Sequence, residues 1–198
     1  MSKLDLIYSL AISLIVGLFL LPTFVNTGLS NKLSLPLLLI LLFAVLPVVV
    51  TLGMIVVSFA AKRFGLLWQF SKFALVGVLN TAIDFGILNL MILLTGITSG
   101  IGIIPLNIVS FSAAVTNSFF WNKKWVFQSP KEANFITFFV ITLIGLVINS
   151  SIVYIITTFV PPVFVESETL WANLAKVLAT GVALFWNFTG YKLIVFKR

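Results

Sequence analysis

The chain has 198 residues, 61% of them hydrophobic and 9% charged, with a mean hydropathy of +1.21 and a net charge of +7. A globular chain of this size has to present a largely polar surface to water, so the composition excludes an ordinary soluble domain and makes lipid the solvent for most residues. The absence of cysteine and histidine removes disulfides, thiolate and Ser-His-Asp nucleophiles, and zinc or iron–sulfur ligation, so neither a metal site nor a cofactor is expected.

A helix that crosses the hydrocarbon core needs about 20 apolar residues. Six runs of that kind are bounded by charge, proline or glycine, and they predict an all-α, polytopic membrane protein with six transmembrane helices. In chain order they cover Leu4 to Phe24, Leu35 to Ala60, Gln69 to Leu94, Ile101 to Trp121, Phe135 to Phe159, and Leu170 to Tyr191. The first run is too long for the apolar part of a signal peptide and no small-x-small cleavage site follows it, so it reads as a retained helix. Runs one and two are almost purely aliphatic, with no charge in their middles, and end at Lys62-Arg63. The boundary therefore falls near Phe64 to Trp68. Residues 1–67 form two additional N-terminal helices, and residues 68–198 form a four-helix module.

The charge of +7 does not imply nucleic acid, because the basic residues sit in separate short loops and build no continuous stripe. Alternate loops are basic: Lys62 and Arg63, then Lys123, Lys124 and Lys131, then Lys197 and Arg198. These loops and both termini are expected on the cytoplasmic side of the cell membrane. Lys32 is the one dissenter. Glu166 and Glu168 fall in an outer loop and read as solvated.

The last four runs contain a repeat. Ile141 to Asn149 matches Val76 to Asp84 at an offset of 65, and Asn187 to Phe196 matches Ser118 to Phe127 at an offset of 69. The matches set Asn149 opposite Asp84, Lys192 opposite Lys123, and Phe196 opposite Phe127. Each unit is a helical hairpin, and the two are parallel, related about the membrane normal.

Polar residues inside these runs are the candidate site. A carboxylate in hydrocarbon costs several kcal/mol and faces the bundle interior or a wet cavity. Asp84 lies about 22 Å along its helix, and Lys176 enters about 9 Å from the opposite edge, so the two are expected at similar depth. They are expected to face one another or to share a polar cavity. The other readings are a snorkelling Lys176, and an Asp84 bonded to neighbouring Asn80 or Thr81. Asn80, Asn149 and Asn187 join them on polar stripes that serve helix packing or line a path. At the cytoplasmic face, Asn122, Lys123, Lys124 and Trp125, with Lys192 of the second unit, combine cations and aromatics. They form either an interfacial anchor or a site for an anionic headgroup. No catalytic residue is expected, since no second carboxylate or ligand set accompanies Asp84.

At these residues the chain resembles the GtrA-like family, whose module also occurs as the membrane part of some dolichol-phosphate-mannose-synthase-like proteins. The resemblance covers roughly Trp68 to Arg198. It rests on Phe73 to Asp84 (FALVGVLNTAID), Asn122 to Phe127 (NKKWVF) and the stretch from Lys176 to Asn187. It implies a four-helix membrane module in cell-surface polysaccharide synthesis or glycosylation that moves a polyprenyl-phosphate-linked sugar across the membrane or supports the glycosyltransferase that makes it. The partners implied are that lipid and a membrane glycosyltransferase; so small a pathway also suits a homodimer. A scaffold that positions the glycosyltransferase without transport fits the same residues, as does a small cation- or proton-coupled exporter using Asp84. The chain departs from the family at Gly190-Tyr191, where an asparagine and a basic residue are often found, and in its two additional helices.

Overall fold

The computed structural model describes residues 1–26, 33–97, 101–129, 133–161 and 168–196. The described residues form six helices and no strand, so the chain is an all-helical, multi-pass membrane protein. Helix α1 covers Lys3–Asn26, α2 Leu35–Ala60, and α3 Gly65–Thr95. Helix α4 covers Ile103–Trp121, α5 Phe135–Phe159, and α6 Glu168–Gly190. The Lys3–Asn26, Leu35–Ala60, Gly65–Thr95 and Leu178–Val195 segments are each long and apolar enough to cross a membrane. Lys32, Lys131, Glu132, Glu166, Lys197 and Arg198 lie outside the described residues.

Local chemistry sets the ends and irregularities of these helices. Ser2 and Asp5 make a reciprocal cap on α1: the Asp5 N–H donates to Ser2 Oγ at 3.1 Å, and the Ser2 N–H donates to Asp5 Oδ2 at 3.1 Å. In α2, Pro47 removes one backbone donor and crowds the preceding turn, and a π turn at Leu41–Val45 absorbs the misfit. Helix α3 stops at Gly96, whose left-handed φ of 71° lets its N–H reach Ile92 O at 2.8 Å. Asn134 caps α5 by accepting from the N–H groups of Ile136 and Thr137 at 2.8 and 3.2 Å. Both α4 and α6 run on into π turns, at Asn122–Val126 and Tyr191–Val195. The two turns occupy matching positions of the sequence repeat, and each is followed by a buried phenylalanine, Phe127 and Phe196.

The chain forms two compact units, residues Met1–Val126 and Phe127–Arg198. In the first, the largest helix contact joins α1 to α3, and α4 packs on α3 as well. Helix α1 is not the plain lipid-facing hydrophobe its composition suggests. Asp5, Ser9, Ser13 and Gly17 recur at every fourth residue and are buried, whereas Leu4, Ile7, Leu14 and Leu18 are exposed. The helix turns its small and polar row inward because small residues allow close backbone approach, while lipid is as good a solvent for leucine as the protein interior. Two glycines mark the approach: a Cβ on Gly17 would lie 2.6 Å from Leu42 O, and one on Gly86 would collide with the carbonyl oxygen of Phe19. In the second unit α5 packs on α6, with Gly145 against the Asn187 side chain and Gly190 against Ile141.

Replacing Gly86 with leucine forces α1 away from α3, and overpacking of that kind costs about 1–3 kcal/mol. The expected result is a clear fall in the thermal midpoint of the purified protein in detergent. The same change at Gly53, which has open space around it, should leave the midpoint near wild type.

Candidate functional site

The most strongly bonded polar cluster in the first unit sits where α1 and α3 begin and α4 ends. Lys72 Nζ lies 2.6 Å from Asp5 Oδ1, and the Trp125 indole N–H donates to the same oxygen at 2.9 Å. The other carboxylate oxygen accepts from the Ser2 hydroxyl at 2.7 Å and the Ser2 N–H at 3.1 Å. Asp5, Lys72 and Trp125 are all buried. Lys72 Nζ also stands 5.1 Å from the Trp68 ring centroid and 5.4 Å from that of Trp125. Tyr8, Trp121 and Trp125 close the cluster edge to face, with centroids 5.4 to 5.9 Å apart.

This cluster escaped the reading of the sequence. Two signals for it were present: Asp5 is the sole carboxylate of the first two runs, and Lys72 is a lysine just inside the third. Neither signal names its partner, since 66 residues separate them in the chain.

Above the cluster, polar side chains of α3 make successive bonds to neighbouring helices. Asn117 Nδ2 donates to Asn80 Oδ1 at 2.9 Å, and the Ser110 hydroxyl donates to Asp84 Oδ1 at 2.7 Å. Asp84 therefore bonds across to α4, and not to Asn80 or Thr81 on its own helix; the Thr81 hydroxyl donates instead to Gly77 O. At the far end, Asn89 Oδ1 accepts from Asn26 Nδ2 at 2.7 Å, fastening the end of α1.

The second unit repeats the plan in altered form. Asn149 Nδ2 donates to Thr180 Oγ1 at 3.4 Å, occupying the place of Asp84 and Ser110. The Asn80–Asn117 pair corresponds to Gly145 and Asn187, which are in contact. On the second helix of each hairpin these partners match one residue beyond the register that pairs the tails. Where the first unit has Asn122, the second has Tyr191, stacked on Phe138 at 4.2 Å and sharing a 2.6 Å hydrogen bond with Thr142.

The predicted site residues are thus distributed over both units. Asn80, Asp84, Asn122, Lys123, Lys124 and Trp125 belong to the first, and Asn149, Lys176, Asn187 and Lys192 to the second. The side chain of Lys176 lies outside the described residues, as does its expected pairing with Asp84. Asn122 is fully buried, with Nδ2 donating to Ser118 O at 2.8 Å; Lys123 is half-buried and Lys124 exposed. Lys192 is half-buried, its ammonium 5.9 Å from the Phe188 ring centroid.

A family model described as GtrA/DPMS, transmembrane domain, matches residues 72–196. The chain belongs to the GtrA/DPMS transmembrane-domain family. An uncharacterized membrane protein of Bacillus subtilis (strain 168), YngA, is 29% identical over 128 residues, covering 63% of this chain and 77% of that protein. No solved structure matches the chain. The family match begins at Lys72 and includes Trp125, whereas Asp5 comes from a helix outside it.

Breaking the Asp5–Lys72 pair leaves one buried charge uncompensated, at a cost of about 3–5 kcal/mol. Asp5→Ala should therefore destabilise the protein strongly, and Lys72→Met in the same chain should return a large part of the loss. A double-mutant cycle of unfolding in mixed micelles measures this coupling.

Proposed function

We propose that the chain carries a polyprenyl-phosphate-linked sugar across the cell membrane for surface polysaccharide synthesis or glycosylation. The observation that carries this reading is the repeated series of polar bonds at membrane depth in a member of this family. Hydrocarbon does not tolerate unpaired polar groups, and each hairpin supplies pairs that hydroxyls of a sugar can replace one at a time. Asn80 and Asp84 with Ser110, and Asn149 with Thr180 and Asn187, take the sugar. Lys123 and Lys124 in the first unit, and Lys192 in the second, are the cations that meet the phosphate, with Asn122 and Trp125 shaping the first tail.

The lipid tail stays in the bilayer, so only the headgroup has to be matched by protein. The basic loops and both termini face the cytoplasm, the side on which lipid-linked sugars with an anionic phosphate would be collected. The protein makes and breaks no covalent bond in this reading. A membrane glycosyltransferase supplies the lipid-linked sugar, and a second copy of the chain completes the pathway.

Transport is tested in vesicles containing the purified protein and a labelled polyprenyl-phosphate sugar, at matched protein content. A hydrogen bond made in transit is worth about 1–1.5 kcal/mol, so Asp84→Asn and Ser110→Ala should each slow translocation by about tenfold. Wild-type rates in both variants would sink the reading. Unchanged partner co-purification together with no transport by the wild-type protein would favour the scaffold.

A further inference from the structure

We propose that Lys72 and the Trp125 indole N–H form a binding site for a phosphate group, and that Asp5 is an internal occupant that the phosphate displaces. The donor set is that of an oxyanion site. One carboxylate oxygen receives an ammonium at 2.6 Å and an indole N–H at 2.9 Å, the two donors that remain for a phosphate, while the second is held by the Ser2 hydroxyl and N–H, which leave with Asp5 when its turn opens. Charge-assisted bonds of this length are the strong ones, and a phosphate oxygen offers Lys72 and Trp125 the same acceptor with more charge.

Three features separate this site from an ordinary structural ion pair. Lys72 and Trp125 belong to the family module, but the carboxylate is contributed by α1, outside it. The occupant sits in the first turn of its helix, and Met1, Ser2, Lys3 and Leu4 are exposed, so displacing Asp5 requires only that turn to open. The rest of α1 stays in place through Gly17 against Leu42 and through the Asn26–Asn89 bond at its far end. The third feature is the wall of Trp68, Trp121, Trp125 and Tyr8. It keeps water from the ammonium while leaving an apolar surface for the first units of a lipid chain or the face of a sugar. Lys123 and Lys124, beside Trp125 in the π turn, give an approach of matching charge.

The inference deepens the proposed transport by naming where the phosphate is first held. It rests on that reading only for the phosphate's being lipid-linked. Asp5 fills the site at least nine-tenths of the time, so its removal tightens the apparent dissociation constant by about tenfold or more.

The test uses the full-length protein in nanodiscs, with tryptophan fluorescence and the thermal midpoint as readouts. The probes are undecaprenyl phosphate, inorganic phosphate, and undecaprenol as the tail alone. Asp5→Asn should bind undecaprenyl phosphate at least about tenfold more tightly than wild type and regain its lost thermal midpoint on binding. Undecaprenol should do neither, and adding Lys72→Met should abolish both effects. Ser2→Ala, which only loosens the hold on Asp5, should shift binding in the same direction and covers the case in which Asp5→Asn does not fold. Equal action of inorganic phosphate would make the ligand a free phosphate and would still support the site. Identical binding by wild type, Asp5→Asn and Ser2→Ala, or full binding by Lys72→Met, would overturn it. Tightened binding in a protein that moves no lipid would leave the site standing and remove the transport reading. Transport with unchanged binding in the Asp5 and Ser2 variants would do the reverse.

Discussion

In hydrocarbon a polar group has to find its partner within the protein, and this constraint organises the molecule. The backbone meets it by forming helices, and the few polar side chains meet it by reaching across to neighbouring helices. The firmest case is the buried carboxylate of Asp5, held by Lys72, Trp125 and Ser2. Its energetic value is not that of a free Coulomb pair, since both ions give up their hydration. The pair fixes instead which residues of α1, α3 and α4 lie side by side, because any slip of α1 strands a charge in an apolar setting. With the Asn26–Asn89 bond at the other end, α1 is fastened to α3 twice over its length.

The duplication is conserved in plan and broken in detail. Both hairpins end in a π turn followed by a buried phenylalanine, and Phe127 stacks on Phe196 at 4.9 Å. Both also carry a polar pair at matching positions of the repeat. The first, however, has a carboxylate and a serine where the second has an asparagine and a threonine. Gly145 replaces the asparagine of the first hairpin, and α5 and α6 close to direct contact there. Tyr191, in the place of Asn122, turns a polar corner into an aromatic stack. The second unit is thus more closely packed by aromatic and small residues, and among the described side chains the carboxyl group at membrane depth lies in the first.

Much of this was legible without coordinates. The run from Leu35 to Ala60 and the run from Phe135 to Phe159 match the helices at both ends, because length, hydropathy and breakers decide them locally. The other four differ at their ends by a few residues; α3 starts at Gly65, four residues before the apolar run that marks it. The shared tail motif marked the two π turns, although nothing in the letters announced a π turn. Asp84 stood out as a polar group needing a partner, but its neighbours Asn80 and Thr81 were the local choices, and the structure uses Ser110 on the next helix. The inward row of α1 was visible as Asp5, Ser9, Ser13 and Gly17, yet the average hydropathy of the helix concealed it.

The sequence alone determined that the chain lives in lipid, how many long helices it forms, and that its last four helices are a duplicated GtrA-like module. Those properties follow from composition, run length and repeated motifs, which are local and additive along the chain. Only the tertiary structure decided that the first helix belongs with the first hairpin and lends its carboxylate to Lys72 and Trp125. That choice depends on which helices become neighbours and on the rotation of each about its own axis. Both are set by contacts between residues far apart in sequence, and in lipid the close approach of small residues and the pairing of scarce polar groups decide them, not hydrophobicity.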